Sequence, residues 1–419
     1  MFFAIIDQVE RSFTMDKTIC ELFAGVGGFR LGFERLDTEW RTVWFSQWEP
    51  KAATQWAHKC YVQHFGESED VNGNITTGKD IAEVDKNTIP DHNLLVGGFP
   101  CQDYSVAHGL STEQGIHGKK GVLWWQIYET ITAKRPAFCL FENVDRLLKS
   151  PSKQRGRDFG IMLTCLNELG YSVEWRVVNA AKYGAAQRRR RVFIFAYRND
   201  TMFALGENNF SAVDIISTEG FFARTFPIIP ITEVNSVPVE TNVIIASDEF
   251  KFDFSNAGLM SNGIINTAAV SEIEEPPITL GQILESNVDE KFYITDERME
   301  KWQYLKGAKK IPRVAANGHE YIYSEGPVAF PDAWDKPGRT MLTSESTLNR
   351  STHVVEDPGT HRLRLITPIE AERLQGFDDN WTNSGMTQRM RYFCMGNALV
   401  VPMITRMGRT LDQIIANEP

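Results

Sequence analysis

The sequence predicts an α/β protein, with a doubly wound, Rossmann-like sheet followed by a smaller, β-rich second domain. In the first two hundred residues, short apolar runs alternate with stretches of helical spacing, which is the pattern of a sheet covered by helices. From about residue 199 to residue 359 the chain changes to short β-like pieces separated by acidic, proline-bearing loops. At 419 residues the chain is long enough to form both domains.

Six apolar runs in the first part predict strands, at residues 19–23, 42–45, 94–96, 138–141, 172–178 and 192–196. Helical spacing predicts helices at 29–36, 124–133 and 160–169. The helical pattern returns at 368–376, where Pro368 stands just inside the start of the helix. In the second part, the apolar pieces 242–245 and 340–343 predict strands.

The composition is that of an ordinary globular protein of a reducing compartment. Hydrophobic residues make up 42% and charged residues 23% of the chain, which argues against overall disorder. The six cysteines show no paired short spacing, which argues against a disulfide framework and against a metal site of the zinc type. The apolar N-terminus lacks a basic leader, so we expect no signal peptide, no membrane span and a cytoplasmic location.

Basic residues are clustered in a chain whose net charge is −10. The acidic total argues against a protein that coats nucleic acid nonspecifically, because phosphate binding depends on Lys and Arg. The four arginines at 188–191 run directly into the predicted strand 192–196, so at least two of them should point inward to a site. A second basic cluster lies at 301–313.

Cys101 is the strongest candidate for a catalytic nucleophile. It follows a predicted strand, in a turn shaped by glycine and proline that reads Gly-Gly-Phe-Pro-Cys-Gln at 97–102. Such a turn exposes a side chain while holding its backbone, and a thiolate is a strong nucleophile at neutral pH. A cysteine is more often buried and inert. The Pro-Cys-Gln context and the downstream Glu142-Asn143-Val144 favour the nucleophile here.

The first predicted strand ends in a glycine-rich turn, Phe-Ala-Gly-Val-Gly-Gly at 23–28, which leads into a helix. Glycines at such a turn let a nucleotide-like ligand approach the backbone closely. Tight packing of the strand on the helix is the alternative explanation. The spacing departs from GxGxxG and no Walker lysine follows, which disfavours a dinucleotide or a triphosphate and leaves room for S-adenosylmethionine.

Seven motifs, in matching order and spacing, make the chain resemble the DNA (cytosine-5)-methyltransferases over nearly its whole catalytic length. They are Phe23-Ala24-Gly25-Val26-Gly27-Gly28, Lys79-Asp80-Ile81, Gly98-Phe99-Pro100-Cys101-Gln102, Glu142-Asn143-Val144, Gln187-Arg188-Arg189-Arg190-Arg191, residues 364–376 and Gly396-Asn397-Ala398. The resemblance implies an S-adenosylmethionine-dependent methyltransferase domain over 16–198, completed by 385–419. It assigns 199–384 to a smaller target-recognition domain, with its variable part at about 199–359.

The resemblance implies covalent catalysis, because cytosine C5 is too weak a nucleophile to take a methyl group from a sulfonium directly. Cys101 would add to C6 and turn the ring into an enamine, while Glu142 would protonate or hydrogen-bond N3. Arg189 would lie near the base and the thiolate, and Arg191 would hold Glu142 or the loop in place. The sequence names no residue that removes H5, so we expect water to take this proton.

The cofactor implied by the resemblance is S-adenosyl-L-methionine. The residues at the family's cofactor positions are Phe23, Gly25, Gly27, Gly28, Gln47, Trp48, Glu49, Asp80, Ile81, Pro100, Leu123 and Asn397. Asp80 would meet the adenine amine, and Trp48 would stack on the ring. Gln47 stands where the family has a ribose-binding acid, with Glu49 two residues later, so either residue could contact the ribose.

Attack on C6 is impossible inside a stacked duplex, so the resemblance implies a cytosine flipped out of double-stranded DNA. The glycine-rich segment 103–121 would close over the DNA as a lid, with an ordinary surface loop as the alternative. The expected DNA contacts are Gln102, Ser105, Lys119, Lys120, Lys309, Lys310 and Arg364. We expect a monomer, accompanied by a cognate restriction endonuclease that acts on the same site.

Two other functions are open to the same chain. An inactive DNA-binding relative should lack Cys101, Glu142 or the cofactor glycines, all of which are present. A tRNA- or RNA-directed cytosine-5 methyltransferase should lack a sizeable target-recognition domain, whereas residues 199–359 separate the two halves here. The sequence therefore favours DNA as the substrate.

Overall fold

The computed structural model describes residues 15–99, 123–315 and 318–419. In this part of the chain the strands are β1 (Thr18–Leu22), β2 (Arg41–Ser46), β3 (Leu94–Gly98), β4 (Phe138–Val144), β5 (Tyr171–Asn179), β6 (Arg190–Arg198), β7 (Asn235–Pro238), β8 (Ala257–Ser261), β9 (Ile264–Ala268), β10 (Lys309–Val314), β11 (Glu320–Glu325), β12 (Val354–Glu356) and β13 (Leu363–Leu365). The helices are α1 (Gly28–Glu34), α2 (Trp56–Phe65), α3 (Leu123–Lys134), α4 (Arg157–Glu168), α5 (Met202–Glu207), α6 (Ala212–Asp214), α7 (Phe221–Thr225), α8 (Val243–Glu249), α9 (Asp296–Lys306), α10 (Pro368–Gln375), α11 (Gln388–Asn397) and α12 (Val401–Ile415).

A central sheet organises the fold, with its strands in the order β2-β1-β3-β4-β6-β5-β8-β9-β7. The first four strands in this order are parallel, and the later neighbours are antiparallel. Leu94 and Val96 of β3 face one hydrophobic cluster and Leu95 faces another, so both faces of the sheet are buried. The α/β prediction is confirmed. Because the carboxyl ends of parallel strands meet at one edge, the segments that follow β1 to β4 lie together.

The predicted elements of the first part are present, with the six strands as β1 to β6 and the three helices as α1, α3 and α4. The predicted helix at Pro368 is α10. It begins with a capping box, in which Thr367 Oγ1 accepts a hydrogen bond from the Glu370 N–H at 3.1 Å. It ends at Gly376, whose φ of 77° lies in the left-handed region that favours glycine.

Two strand predictions in the second part are wrong. Residues 242–245 begin helix α8 because Asn242 Oδ1 accepts hydrogen bonds from the N–H groups of Ile244 at 2.7 Å and Ile245 at 3.4 Å. This N-cap outweighs the β preference of the isoleucines. Residues 340–343 form no strand. The backbone N–H of Met341 donates to the side chain of Gln187, at Oε1, over 3.1 Å instead of to a neighbouring strand.

The central sheet extends beyond the first two hundred residues. β8 pairs with β5, β9 pairs with β8, and β7 pairs with β9 at the edge of the sheet. The change in sequence texture near Asn199 therefore does not coincide with an edge of the sheet. Strands β10 and β11 form a separate two-stranded hairpin, and β12 and β13 form another pair.

Helix α12 returns the C-terminal part of the chain to α1. A Cβ at Gly32 would lie 2.5 Å from the Ile404 Cβ, so glycine is needed for the two helices to approach this closely. Thr405 Oγ1 also donates a hydrogen bond to the Gly32 carbonyl at 2.9 Å. The two ends of the chain therefore share one core.

Two buried carboxyl groups, Glu174 on β5 and Glu207 on α5, interact with each other. Glu174 accepts hydrogen bonds from the N–H groups of Phe221 at 2.8 Å and Phe222 at 3.2 Å, and Glu207 accepts one from the Tyr197 hydroxyl. Burial raises the pKa of Glu174 to about 7. Burial, and then the neighbouring charge of Glu174, raises the pKa of Glu207 to about 9.

We expect these two carboxyl groups to make the folded protein less stable as the pH rises. A carboxyl pKa that is higher in the folded than in the unfolded protein adds stability below the unfolded value, about 4.3, and this stability is lost as the pH rises through the folded value. Glu207→Gln cannot ionise, so its Tm should exceed that of the wild type by more at about pH 9 than at about pH 6. Glu219→Gln, at a partly exposed carboxyl, is the control. An equal Tm difference at both pH values would contradict the expectation.

Candidate active site

The turn after β1 forms an open cradle at the carboxyl edge of the sheet. Phe23, Gly25 and Gly27 have positive φ values of 56°, 57° and 87°. A Cβ at Gly27 would lie 2.4 Å from the Phe65 ring, so this position requires glycine. A Cβ at Gly25 would meet nothing within 4 Å. The backbone of the turn therefore faces a space that can receive a ligand.

Gln47 and Glu49, the two candidates for a ribose contact, have different surroundings. Gln47 Oε1 accepts a hydrogen bond from the Gly25 N–H at 2.7 Å, which holds this side chain against the cradle. Glu49 Oε2 accepts one from the Ala57 N–H at 3.1 Å, in the first turn of α2. Glu49 therefore caps a helix, whereas Gln47 lies at the cradle. Trp48, between them, is 40% exposed.

Three of the other residues at predicted cofactor positions lie in one hydrophobic cluster. Ile81 is a buried member of this cluster, and Phe23 and Leu123 pack against it. Asp80 precedes Ile81, is partly exposed, and accepts a hydrogen bond from the Ala82 N–H at 3.0 Å. The structure therefore brings the segment after β1 and the first residue of α3 together with the segment that contains Asp80.

Gly28 and Leu399 bring the N-terminal and C-terminal parts of the chain together at the cradle. Gly28 begins α1, and a Cβ there would lie 2.9 Å from Leu399 Cδ1. Asn397 is the exposed last residue of α11, two positions before Leu399. The contact therefore brings the end of α11 close to the start of α1.

Glu142 lies near the carboxyl end of β4 and is paired with Arg191 on β6. Arg191 Nε is 2.7 Å from Glu142 Oε1, and Glu142 is 8% exposed. In the sheet register Glu142 neighbours Gly98 on β3, where a Cβ would lie 3.4 Å from Glu142 Oε2. The glutamate carboxyl group therefore lies beside the strand that leads into Cys101, and Arg191 holds it there.

Asn143 connects the end of β4 to the residue after β3. Its Nδ2 donates a hydrogen bond to the Phe99 carbonyl at 2.8 Å, and its Oδ1 accepts one from the Val144 N–H at 2.8 Å. The side chain is buried at 1% exposure. The position of Asn143 directly after Glu142, at a strand end, is the sequence signal for this residue, for which no role was predicted. Asn143 therefore ties the end of β4 to Phe99, the residue that follows β3.

We expect Asn143→Ala to lower kcat by roughly 10²-fold, because small displacements of a nucleophile have effects of this size. Cofactor affinity should change little, because Asn143 does not contact the cradle. Steady-state kinetics and calorimetric titration with cofactor separate the two effects. Asn93→Ala is the matched control, because Asn93 also donates from its side-chain amide to a backbone carbonyl, that of Asp16, at 2.9 Å. A wild-type kcat in Asn143→Ala would show that this hydrogen bond does not position the nucleophile.

Arg189 is buried and connects three segments of the chain. Its Nη1 donates to the Met341 carbonyl at 3.3 Å and its Nη2 donates to the Gly396 carbonyl at 3.0 Å. Burial, with the neighbouring Arg191 charge acting in the same direction, lowers its pKa to about 9. Arg188 and Arg190 are exposed. The prediction that at least two of the four arginines point inward is therefore confirmed by Arg189 and Arg191.

The prediction that Arg364 contacts DNA is wrong. Arg364 is fully buried, and its guanidinium donates to Asp357 Oδ2 at 2.8 Å and to both oxygens of Glu370, at 2.7 and 2.8 Å. The carbonyl groups of Glu285 and Leu365 accept its remaining hydrogen bonds, at 3.0 and 3.1 Å. All five N–H donors of the side chain are used, so Arg364 holds the start of α10 to the loops around it.

The two predicted DNA contacts on β10 differ in their surroundings. Lys309 Nζ lies 3.9 Å from Glu325 Oε2 and 4.6 Å from the centre of the Tyr304 ring. Lys310, on the opposite face of the strand, is exposed. Lys310 is therefore the better placed of the two to meet a phosphate group.

Six predicted site residues lie outside the described residues, together with the predicted lid at 103–121. They are Pro100, Cys101, Gln102, Ser105, Lys119 and Lys120. Within the described ranges, no group of three or more His, Cys, Asp or Glu side chains is arranged to hold a metal ion. None of the helices described is both long and apolar enough to cross a membrane.

Comparison with known proteins shows which family the chain resembles. A family model described as C-5 cytosine-specific DNA methylase matches residues 17–413. The chain is 51% identical over 402 residues to the Type II methyltransferase M.Sau3AI of Staphylococcus aureus, covering 94% of this chain and 95% of that protein. It is 27% identical over 392 residues to the Type II methyltransferase M.SsoII of Shigella sonnei, covering 93% of this chain and 79% of that protein.

A solved structure shares the fold. The crystal structure of the S. pombe Dnmt2 methyltransferase covers 95% of this chain, and this chain covers 99% of it, with a TM-score of 0.57. Sequence identity is 14%, so this likeness concerns the fold alone.

Proposed function

The chain belongs to the C-5 cytosine-specific DNA methylase family, and from that premise we propose that it methylates C5 of a flipped-out cytosine within a specific double-stranded DNA sequence. Family membership makes the chain a DNA (cytosine-5) methyltransferase of the Type II modification kind. The covalent route through Cys101 and the methyl donor S-adenosyl-L-methionine are part of the proposal. The observation that carries it is the ion pair between Glu142 and Arg191, which lies beside the strand that leads into Cys101.

In the proposed mechanism, the Cys101 thiolate forms a bond to C6, and the ring electrons move toward C5. Glu142 gives a proton or a hydrogen bond to N3, which relieves the negative charge that arrives on the ring. The cofactor, when bound, would supply the electrophilic methyl group to C5, and the electron pair of the broken bond would stay on its sulfur. H5 then passes to water, the C5–C6 double bond re-forms, Cys101 leaves as a thiolate, and a proton that N3 received returns to Glu142. Arg191 keeps Glu142 in place throughout.

The residues around the cradle fit S-adenosylmethionine. Gly25 leaves open space at the turn, and Trp48 offers an exposed aromatic face for an adenine ring. For the ribose we favour Gln47 over Glu49. The Gln47 oxygen already accepts from Gly25, which leaves its amide nitrogen to donate to a hydroxyl group, whereas Glu49 Oε2 caps α2.

The domain roles complete the proposal. Residues 16–198 with 385–419 bind the cofactor and the flipped base, and 199–384 include the surfaces that recognise the target. The segment 103–121 closes on the DNA. Arg189 acts by holding the carbonyl groups of Met341 and Gly396. We further propose that the protein acts as a monomer in the cytoplasm, paired with an endonuclease that cuts the same site.

Bisulfite sequencing of DNA from cells that express the chain tests this proposal. One short sequence should carry methylated cytosine at nearly every occurrence, and a Cys101→Ala chain should leave the same DNA unmethylated. Purified enzyme should be offered matched duplex DNA and tRNA with labelled cofactor. Methylation of tRNA without methylation of DNA would replace DNA by RNA as the substrate, and methylation of neither would overturn the proposal.

A further inference from the structure

The hairpin of β10 and β11 lies outside the central sheet, and much of its surface is exposed. Its strands pair only with each other among the described residues. One of its faces contains Lys310, Pro312, Val314, Glu320, Ile322 and Ser324. On this face Val314 is 66% exposed and Ile322 is 65% exposed. An isolated two-stranded hairpin is at best marginally stable in water, so its orientation must be set at its base.

Arg350 holds both ends of this hairpin. Its Nη1 donates to the carbonyl groups of Leu305 at 3.0 Å and Gly307 at 3.1 Å, at the end of α9, which leads into β10. Its Nη2 donates to the carbonyl of Gly326, directly after β11. A planar guanidinium can serve several carbonyl groups in a defined geometry, which a lysine ammonium group cannot reproduce. Arg350 therefore fixes where the hairpin leaves the rest of the molecule.

The loop that contains Arg350, residues 342–353, is itself fixed by its own side chains. Glu345 Oε1 accepts a hydrogen bond from the His353 N–H at 2.7 Å, and both residues are buried. Asn349 Nδ2 donates to the Ser344 carbonyl at 2.9 Å, and its Oδ1 accepts from the Ser351 N–H at 2.7 Å. The loop is therefore a rigid support for Arg350.

The start of this loop is attached to the arginine segment of the active site. The Met341 carbonyl accepts from Arg189, and its N–H donates to Gln187 Oε1. Thr340 Oγ1 donates to the Arg188 carbonyl at 2.6 Å. Hydrogen bonds thus connect the segment that ends in Arg191 to the loop, and Arg350 connects the loop to the hairpin.

We propose that Arg350 is a positioning residue for sequence recognition. It holds the β10–β11 hairpin at a set distance from the catalytic side chains, so that the face with Lys310, Val314 and Ile322 contacts the DNA beside the target cytosine. A lysine suits a phosphate group, and exposed aliphatic side chains suit the methyl group of thymine. The inference rests on the proposed function, because it names how that function selects its site.

The test compares full-length wild type, Arg350→Ala and Arg350→Lys on the duplex found by bisulfite sequencing and on duplexes with one changed base pair. We expect Arg350→Ala to lower the ratio of kcat/KM between cognate and changed duplexes by at least about tenfold. The KM for DNA should rise, and the calorimetric affinity for cofactor should stay within about twofold of wild type. Arg350→Lys should recover only part of the ratio, because one ammonium group cannot replace the fork of donors.

Two further variants separate recognition from folding. Ile322→Ala should lower the same ratio when Arg350 is intact. Its effect should be smaller in the Arg350→Ala background, because both changes remove the same contact between the hairpin and DNA. Arg362→Ala is the matched control, since this exposed arginine pairs with Glu290 and should keep the wild-type ratio. A wild type without sequence preference would defeat the proposed function. If the wild type is sequence-specific and Arg350→Ala keeps the wild-type ratio, this inference alone is overturned. If Arg350→Ala does not fold, a wild-type ratio in both Arg350→Lys and Ile322→Ala overturns it instead.

Discussion

Replacement of Cys101 by alanine is expected to abolish methyl transfer while cofactor binding is retained. The substitution removes the sulfur that must bond to C6, and without that bond C5 does not become nucleophilic enough to accept the methyl group. The substitution leaves Gly25 and Gln47 of the cradle unchanged, so the affinity for the cofactor should not fall. Methyl incorporation into cognate duplex and calorimetric titration with cofactor measure the two properties separately.

A duplex with 5-fluorocytosine at the target position identifies the nucleophile directly. Release of the enzyme requires the loss of H5 as a proton after methyl transfer. Fluorine at C5 cannot be lost in this way, so the bond between enzyme and base should persist. Digestion and mass spectrometry should place the adduct on the peptide that contains Cys101. The same duplex with unmodified cytosine is the control and should give no stable adduct. Recovery of the adduct on a peptide without Cys101 would refute the assignment.

Glu142→Gln is expected to lower kcat by roughly 10²-fold or more, the usual scale for a positioned acid. The amide cannot give a proton to N3, and it no longer attracts the Arg191 guanidinium, which lies 2.7 Å from the carboxyl group in the wild type. The KM for DNA should change less than kcat, because the residues that we expect to contact DNA lie at other positions. Single-turnover kinetics on the cognate duplex provide the measurement.

Asp145→Asn is the matched control for Glu142→Gln. Asp145 follows the same strand and also pairs with an arginine, since its Oδ2 lies 3.2 Å from Arg190 Nε, but this pair is exposed. Exposed pairs contribute little, so the control should stay near the wild-type rate. A near-normal rate in Glu142→Gln would mean that N3 is protonated by another group.

Most of the fold could be predicted because both faces of the sheet are buried. Strands β3 and β6 are short apolar runs in the sequence. Helix α10 is marked locally by Thr367 at its N-cap and Gly376 at its C-cap. The prediction failed at 242–245, where an isoleucine pair favours a strand but the Asn242 side chain caps a helix. The cap and the β preference are both local signals, and the sequence pattern alone does not decide between them.

For the candidate site, the sequence by itself determined which chemical groups are available: a cysteine in a turn, a glutamate near a strand end, a glycine cradle and a row of arginines. These depend on residue type and short spacing, which are local properties. The predicted roles of the neighbouring arginines, in contrast, could not be distinguished from the sequence pattern. Arg189 and Arg191 lie two positions apart on the same segment, and only their partners distinguish them.

The tertiary structure decided those partners. Arg191 on β6 pairs with Glu142 on the neighbouring strand β4, and Arg189 binds carbonyl groups of Met341 and Gly396. Arg364 is buried among carboxylates instead of facing DNA. Each of these contacts forms only when folding brings the partner residues together, and the guanidinium groups of Arg189 and Arg364 are buried there. A guanidinium in a core must satisfy its donors there, whereas the same group at the surface stays free for a ligand. Depth of burial therefore assigned the roles, and burial is a property of the packed molecule.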